Sequence, residues 1–167
     1  MKEIYLYQLN KDFKLFLTAF LFALAIGIGF GLFYLYHTTS FDSSVTTERL
    51  VTNQKNIEDD FGIDESPTKS TGELLTTTHN HIISFAFIFF FMGGIFYFNS
   101  IIEGPWKVFL IVEPLISTIV SFGSMWMVRY LGEGFIYLTI ISAILMYISF
   151  FIMLTISLYD LNLKQPA

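Results

Sequence analysis

The chain has 167 residues, of which 54% are hydrophobic, 19% aromatic and only 14% charged, with a formal net charge of −5 and a mean hydropathy of +0.62. Soluble domains carry about a quarter charged residues, so this composition cannot clothe a water-soluble globule. Nine thinly scattered Lys and Arg exclude the basic footprint that nucleic acid requires, and the absence of cysteine excludes disulfides, thiolate metal sites, cysteine nucleophiles and covalent c-type haem.

Four long apolar runs, about 15–36, 82–102, 108–128 and 134–159, each reach the roughly 20 residues needed to cross a bilayer. They are apolar all round, without the alternation of a β-barrel strand. The expected fold is therefore all-α, a polytopic membrane protein built as an antiparallel bundle of four transmembrane helices in a single membrane domain over 1–167. The first run is too long for a signal-peptide core and lacks a small-x-small cleavage site after it, so it reads as a retained anchor. Lys2, Lys11, Lys14, Lys107 and Lys164 fall on short segments at one end of the spans. The excess of positive charge predicts both termini in the cytoplasm of a bacterial inner membrane.

The segment of about 37–70 is then an acidic extracytoplasmic loop. It carries Asp42, Glu48, Glu58, Asp59, Asp60, Asp64 and Glu65, with too few large apolar residues for a core of its own. Its carboxylates lack the order of an EF-hand calcium loop, and a short amphipathic helix over the bundle mouth is the structure it can form. Ser70-Thr71-Gly72-Glu73 has the form of a capping box, placing a helix start before the second span.

His37 closes the first span, and His79 and His81 open the second, so the topology carries all three to the outer end, where Arg129 and Glu133 also arrive. At 100° per residue His37 shares a side of its helix with Ala19, Ala23 and Gly27, a small-residue ridge expected to face the bundle. His79 and His81 lie about 200° apart and cannot grip one ion on a regular helix, whereas His37 with either of them can. Imidazole ligates haem iron and Zn, Cu or Fe, and Arg129 suits a haem propionate. His37, His79, His81 and Arg129 are the candidate cofactor site, for haem b or a His-bound metal ion.

In the third span Glu113, Ser117, Ser121 and Ser124 fall within about 80°, a polar stripe that reads as a proton or polar path, with Pro114 interrupting the helix beside it. Glu113 is close enough to Lys107 that it could instead snorkel to the interface. There is no Walker A, G-x-S-x-G or H-E-x-x-H sequence, and no catalytic residue is assigned.

The stretch from Leu74 to Ser84, with Thr78-His79-Asn80-His81 at its centre, followed by Gly93-Gly94 and closely spaced spans ending at Tyr159-Asp160, resembles a group of small, largely uncharacterised bacterial inner-membrane proteins. In these a Thr-His-x-His motif heads the second of four spans. The resemblance covers most of the chain outside the acidic loop and implies architecture, not an activity. Three functions follow as expectations: a haem- or metal-binding accessory subunit in electron transfer, a cofactor-free structural or assembly subunit, and a proton-coupled channel or carrier. The bilayer is a partner in each, with other membrane subunits or further copies of the chain beside it.

Overall fold

The structure, a computed structural model, describes residues 4–51 and 69–164. The acidic cluster Glu58, Asp59, Asp60, Asp64 and Glu65 lies outside the described residues. Within them the chain is helical without a strand: α1 (Lys11–Thr39), α2 (Ser43–Leu50), α3 (Thr71–Tyr97), α4 (Pro105–Tyr130) and α5 (Ile136–Asn162), with short 3-10 turns at Leu6–Gln8 and Glu133–Phe135. The helices α1, α3, α4 and α5 are long and apolar enough to cross a membrane, which gives the all-helical, four-span architecture expected from sequence.

Local chemistry sets the helix ends. The Asn10 carboxamide accepts from the Phe13 amide at 2.8 Å and starts α1. The capping box opens α3: Glu73 N–H donates to Ser70 Oγ at 3.2 Å, and the Glu73 carboxylate accepts from the Ser70 amide at 2.7 Å. In α4, Pro105 takes the first helical position behind Gly104, whose φ of 65° favours glycine. The helix stops before Gly132, at φ 142°.

Where the second apolar run predicts helix to about residue 102, α3 ends at Tyr97. Asn99 is the reason. Fully buried, it accepts from the amides of Ile101 and Ile102 at 2.9 and 2.7 Å and donates to the Phe96 carbonyl at 2.6 Å. It thereby replaces the helix ladder with a turn, and Lys107 Nζ closes that turn on the carbonyls of Tyr97 and Asn99 at 3.2 and 2.9 Å.

The first and last described segments meet at this end of the bundle. The Leu6 amide donates to the Phe98 carbonyl at 3.0 Å. Asp160 near the end of α5 accepts from the Ser100 amide and hydroxyl at 2.8 and 2.7 Å, and Lys164 Nζ lies 2.7 Å from the same hydroxyl. We call this the lysine end, and its opposite the histidine end.

The interior is one apolar cluster from all four spans: Leu17, Leu21 and Ile28 of α1, Phe85, Phe89, Met92 and Phe96 of α3, Leu110 of α4, and Met146, Phe150, Met153 and Leu154 of α5. A smaller cluster of Leu50, Leu74, Val128 and Ile136 closes the histidine end. At Gly93 α3 approaches α4 so closely that an added Cβ would sit 3.0 Å from Ile111 Cγ2. The small-residue ridge of α1 does not make the packed face expected of it. Leu17, Leu21 and Ile28 pack instead, and Ala23, Gly27 and His37 remain exposed. Large branched side chains gain more contact against α5 than glycines would, and that choice rotates the ridge aside.

Asn99→Ala removes a buried side chain that satisfies three backbone groups. We expect it to lower stability by about 1–3 kcal/mol, more than the roughly 1 kcal/mol of Ser70→Ala at the exposed cap. Denaturant unfolding of the micelle-solubilised protein measures both, and an Asn99→Ala loss below that of Ser70→Ala would contradict the role given to Asn99.

Candidate functional site

The deepest polar feature is the seam between α4 and α5. On α4 the buried residues are Leu110, Glu113, Pro114, Ser117, Thr118, Ser121, Ser124 and Val128. On α5 they include Ser142, Met146, Ser149, Met153, Ser157 and Asp160. Both sets recur every three or four residues, the spacing of a coiled-coil seam, and their small side chains let the backbones come close.

Glu113 lies eight residues into α4, about 12 Å along the axis, and is only 8% exposed. Rather than snorkelling, its carboxylate turns into the seam. Oε1 accepts from the Ser117 hydroxyl one turn on, and Oε2 accepts from the Ser149 hydroxyl of α5 at 2.6 Å. No lysine or arginine pairs with it among the described residues. Toward the histidine end the Ser124 hydroxyl donates to the Ser121 carbonyl at 2.9 Å and lies 2.7 Å from Thr139 Oγ1, while Ser121 Oγ is 3.4 Å from the Thr139 carbonyl. Pro114 has no N–H to give, which leaves the Leu110 carbonyl without its helix donor, and the Thr118 hydroxyl donates to the Pro114 carbonyl at 2.7 Å.

All four residues of the expected stripe are thus buried and face α5. The sequence pattern does not single out their α5 partners Ser149 and Thr139. The signal was present as Thr139, Ser142, Met146, Ser149, Met153, Ser157 and Asp160 at intervals of three and four, masked by the hydrophobicity of the run around them.

The histidines are arranged otherwise. His37, His79 and His81 are all exposed side chains at one end of the bundle. Among the described residues no three His, Asp or Glu side chains gather as a metal ion would need. The His37 ring lies against Phe33, with centroids 6.4 Å apart. The His81 ring lies 5.1 Å from that of Phe122 and 6.2 Å from that of Phe85. His81 Nδ1 is 2.9 Å from the Thr77 carbonyl, which can only accept, so Nδ1 carries a proton, and in the neutral tautomer Nε2 is the acceptor.

Arg129 reaches across to the backbone before α3. Its Nη1 donates to the Lys69 carbonyl at 2.7 Å. The Lys69 amide donates in turn to the Arg49 carbonyl at 3.1 Å, and Arg49 Nη1 to the Thr38 carbonyl at 2.9 Å. These three links strap α1, α2, the entry to α3 and the end of α4 together, with guanidinium groups at helix C-termini where the dipole favours them. Burial holds the Lys69 ammonium below the ordinary lysine range, nearby Arg49 adds to that effect, and Glu73 partly offsets it.

A concavity of about 370 Å³ separates α1 from α3. Ala23, Leu24, Gly27, Ile28 and Gly31 form one wall, and Asn80, His81, Ser84, Phe85 and Ile88 the other, with Tyr147 of α5 between them.

No curated protein and no solved structure is found to match the chain. A family model described as a transmembrane helical domain does match, over residues 51–167, which span α3, α4, α5 and the α4–α5 seam. That match covers more than two thirds of the sequence, and the chain belongs to the Aq_1264_TM family of transmembrane helical domains.

Proposed function

We propose that this multi-pass membrane protein handles protons, with Glu113 as its protonatable group. The observation that carries this reading is a carboxylate buried within a membrane span, held by Ser117 and Ser149 from two helices and matched by no cation among the described residues. Ionisable groups at such depth are expensive to keep, and they recur where protons or ions are moved. Protonation changes what the seam can bond, because a carboxylate only accepts hydrogen bonds whereas a carboxylic acid also donates one. The hydroxyls of Ser117, Ser121, Ser124 and Thr139 both donate and accept, so they suit a proton or polar path from Glu113 toward the histidine end. We place the protein in a bacterial inner membrane with both termini in the cytoplasm, as the lysine distribution indicates.

A second reading, a haem- or metal-binding accessory subunit in electron transfer, draws support from His81. Its Nδ1–H bond to Thr77 is the kind of contact that orients a ligating imidazole. A Soret band in the purified protein, lost on His81→Ala, would favour it. A colourless, metal-free protein with all histidines intact would remove it.

In proteoliposomes loaded with a pH-sensitive dye, the protein is expected to pass protons, and Glu113→Gln to slow that flux by about 100-fold, the scale of losing a positioned proton-transfer group. Infrared spectra through a pH titration are expected to contain a carboxylic C=O band that Glu113→Gln removes. Equal flux in the two proteins, or none in either, overturns the reading.

Because the chain has no cysteine, Glu48→Cys at the histidine end and Glu103→Cys at the lysine end each carry a single thiol. In intact bacterial spheroplasts a membrane-impermeant maleimide should label Glu48→Cys and spare Glu103→Cys. The reverse pattern would invert the orientation.

A further inference from the structure

The cleft between α1 and α3 is graded along its length. Asn80, His81 and Ser84 stand at the histidine end, and Ile88, about 12 Å further along α3, meets Ala23 and Leu24 at the other. The Asn80 and Ser84 side chains and the Tyr147 hydroxyl make no hydrogen bond among the described residues, and His81 Nε2 is an unused acceptor. Tyr147 lies eleven residues into α5, about 16 Å from its start, with its ring edge-on to Phe85 at 6.4 Å. Asn80, His81 and Ser84 are exposed at the end of the cleft, whereas Tyr147 is partly buried within its span, where a hydroxyl without a partner is costly.

The lining selects an occupant. No lysine, arginine or carboxylate contributes to it, so neither a phosphate headgroup nor a metal cation finds a counter-charge. The cleft holds about 370 Å³. That space suits one ring-sized headgroup and the start of its chain. The headgroup must be neutral, must donate to Nε2 of His81, and must fit beside the rings of His81, Phe85 and Tyr147. The chain must be apolar, to follow Ala23, Leu24 and Ile88.

We propose that the cleft binds an isoprenoid quinol, a neutral hydroquinone with an apolar tail, with one ring hydroxyl donating to His81 Nε2 and the tail running along the glycine face of α1. Asn80, Ser84 and Tyr147 supply the remaining polar contacts. The site stands on α1, α3 and α5 alone and requires nothing of Glu113.

The test uses the full chain in phosphatidylcholine nanodiscs and a short-tailed benzoquinol as probe, counting saturable binding above that of empty nanodiscs. A Cβ added at Gly27 or at Gly29 meets no atom within 4 Å, yet only Gly27 lines the cleft. Gly27→Leu therefore fills the site while Gly29→Leu is its matched control, and His81→Phe is likewise paired with His79→Phe. Quinol binding is expected to weaken at least about tenfold in Gly27→Leu and His81→Phe and to persist in Gly29→Leu and His79→Phe. The matched quinone, which has no hydroxyl to give to Nε2, is expected to bind more weakly than the quinol.

Absence of saturable binding by the parent protein would overturn the proposal. So would equal effects of each variant and its control, or quinone binding as tight as quinol. If native mass spectrometry instead finds a phospholipid that Gly27→Leu displaces, the occupant is an acyl lipid and the quinol assignment falls. Unchanged helical circular dichroism in all four variants ties any loss to the site and not to the fold.

Discussion

A carboxylate inside a membrane must receive its hydrogen bonds from neighbouring side chains, and at Glu113 two serines supply them. Because one donor is on α4 and the other on α5, the pair fixes the register of these helices as well as satisfying the charge-bearing group. A shift of one turn, about 5.4 Å, would carry Ser149 out of reach and leave the carboxylate with half its partners. The apolar contacts alone would not impose this, since in lipid the tails are as apolar as the helices and packing is only weakly selective. The same register brings Thr118 Oγ1 to 3.3 Å from Met146 Sδ and Ser124 to Thr139. The remaining helices assemble on this pair: α3 fits Gly93 against Ile111 of α4, and Phe89 against Phe150 of α5.

The two ends solve a different problem. Where helices stop, backbone groups lose their partners, and the loops must supply new ones. At the lysine end Asn99 and Asp160, both fully buried, serve the turn between α3 and α4, and lysines close over the carbonyls left behind. At the histidine end two arginines and one backbone amide do the equivalent work, in sequence from Thr38 through Arg49 and Lys69 to Arg129. Arg129 Nη1 thus serves the Lys69 carbonyl just before α3. The histidines take no part in this strap, which leaves their chemistry separate from the stability of that end.

The spans were legible because lipid enforces a single rule, about 20 apolar residues per crossing, and nothing in this chain blurs it. The capping box at Ser70 was legible because its chemistry is local. The stripe Glu113, Ser117, Ser121 and Ser124 could be read because a charge in a span draws attention to the helix that holds it. Its counterpart on α5 could not be read the same way, since serine and methionine at intervals of three and four disappear into a strongly hydrophobic average. The orientation of α1 was misjudged for a related reason. Small residues permit close packing but do not compel it, and Leu17, Leu21 and Ile28 offered the larger contact. The roles of Asn99 and Asp160 are not legible in the sequence, because their partners belong to a turn that no pattern marks.

The position of α1 distinguishes the two polar regions of the molecule. The seam between α4 and α5 lies wholly within the matched residues 51–167, whereas the cleft exists only because α1 stands beside α3. Near the lysine end α1 is tied by Thr18, whose hydroxyl and the Asn162 carboxamide lie 3.1–3.3 Å apart, and near the histidine end by Arg49 on the Thr38 carbonyl. Between these ties, among the described residues, only apolar contacts hold it, through Leu17, Leu21, Leu24 and Ile28, the last two beside the glycines at the cleft. The gap between Gly27 and Ser84 can therefore widen or narrow without breaking a hydrogen bond, while the seam behind Tyr147 cannot move without stranding Glu113. A ligand entering from the lipid meets a compliant wall on α1 and a fixed one on α3 and α5, so recognition falls to the fixed side, where His81, Ser84 and Tyr147 reside.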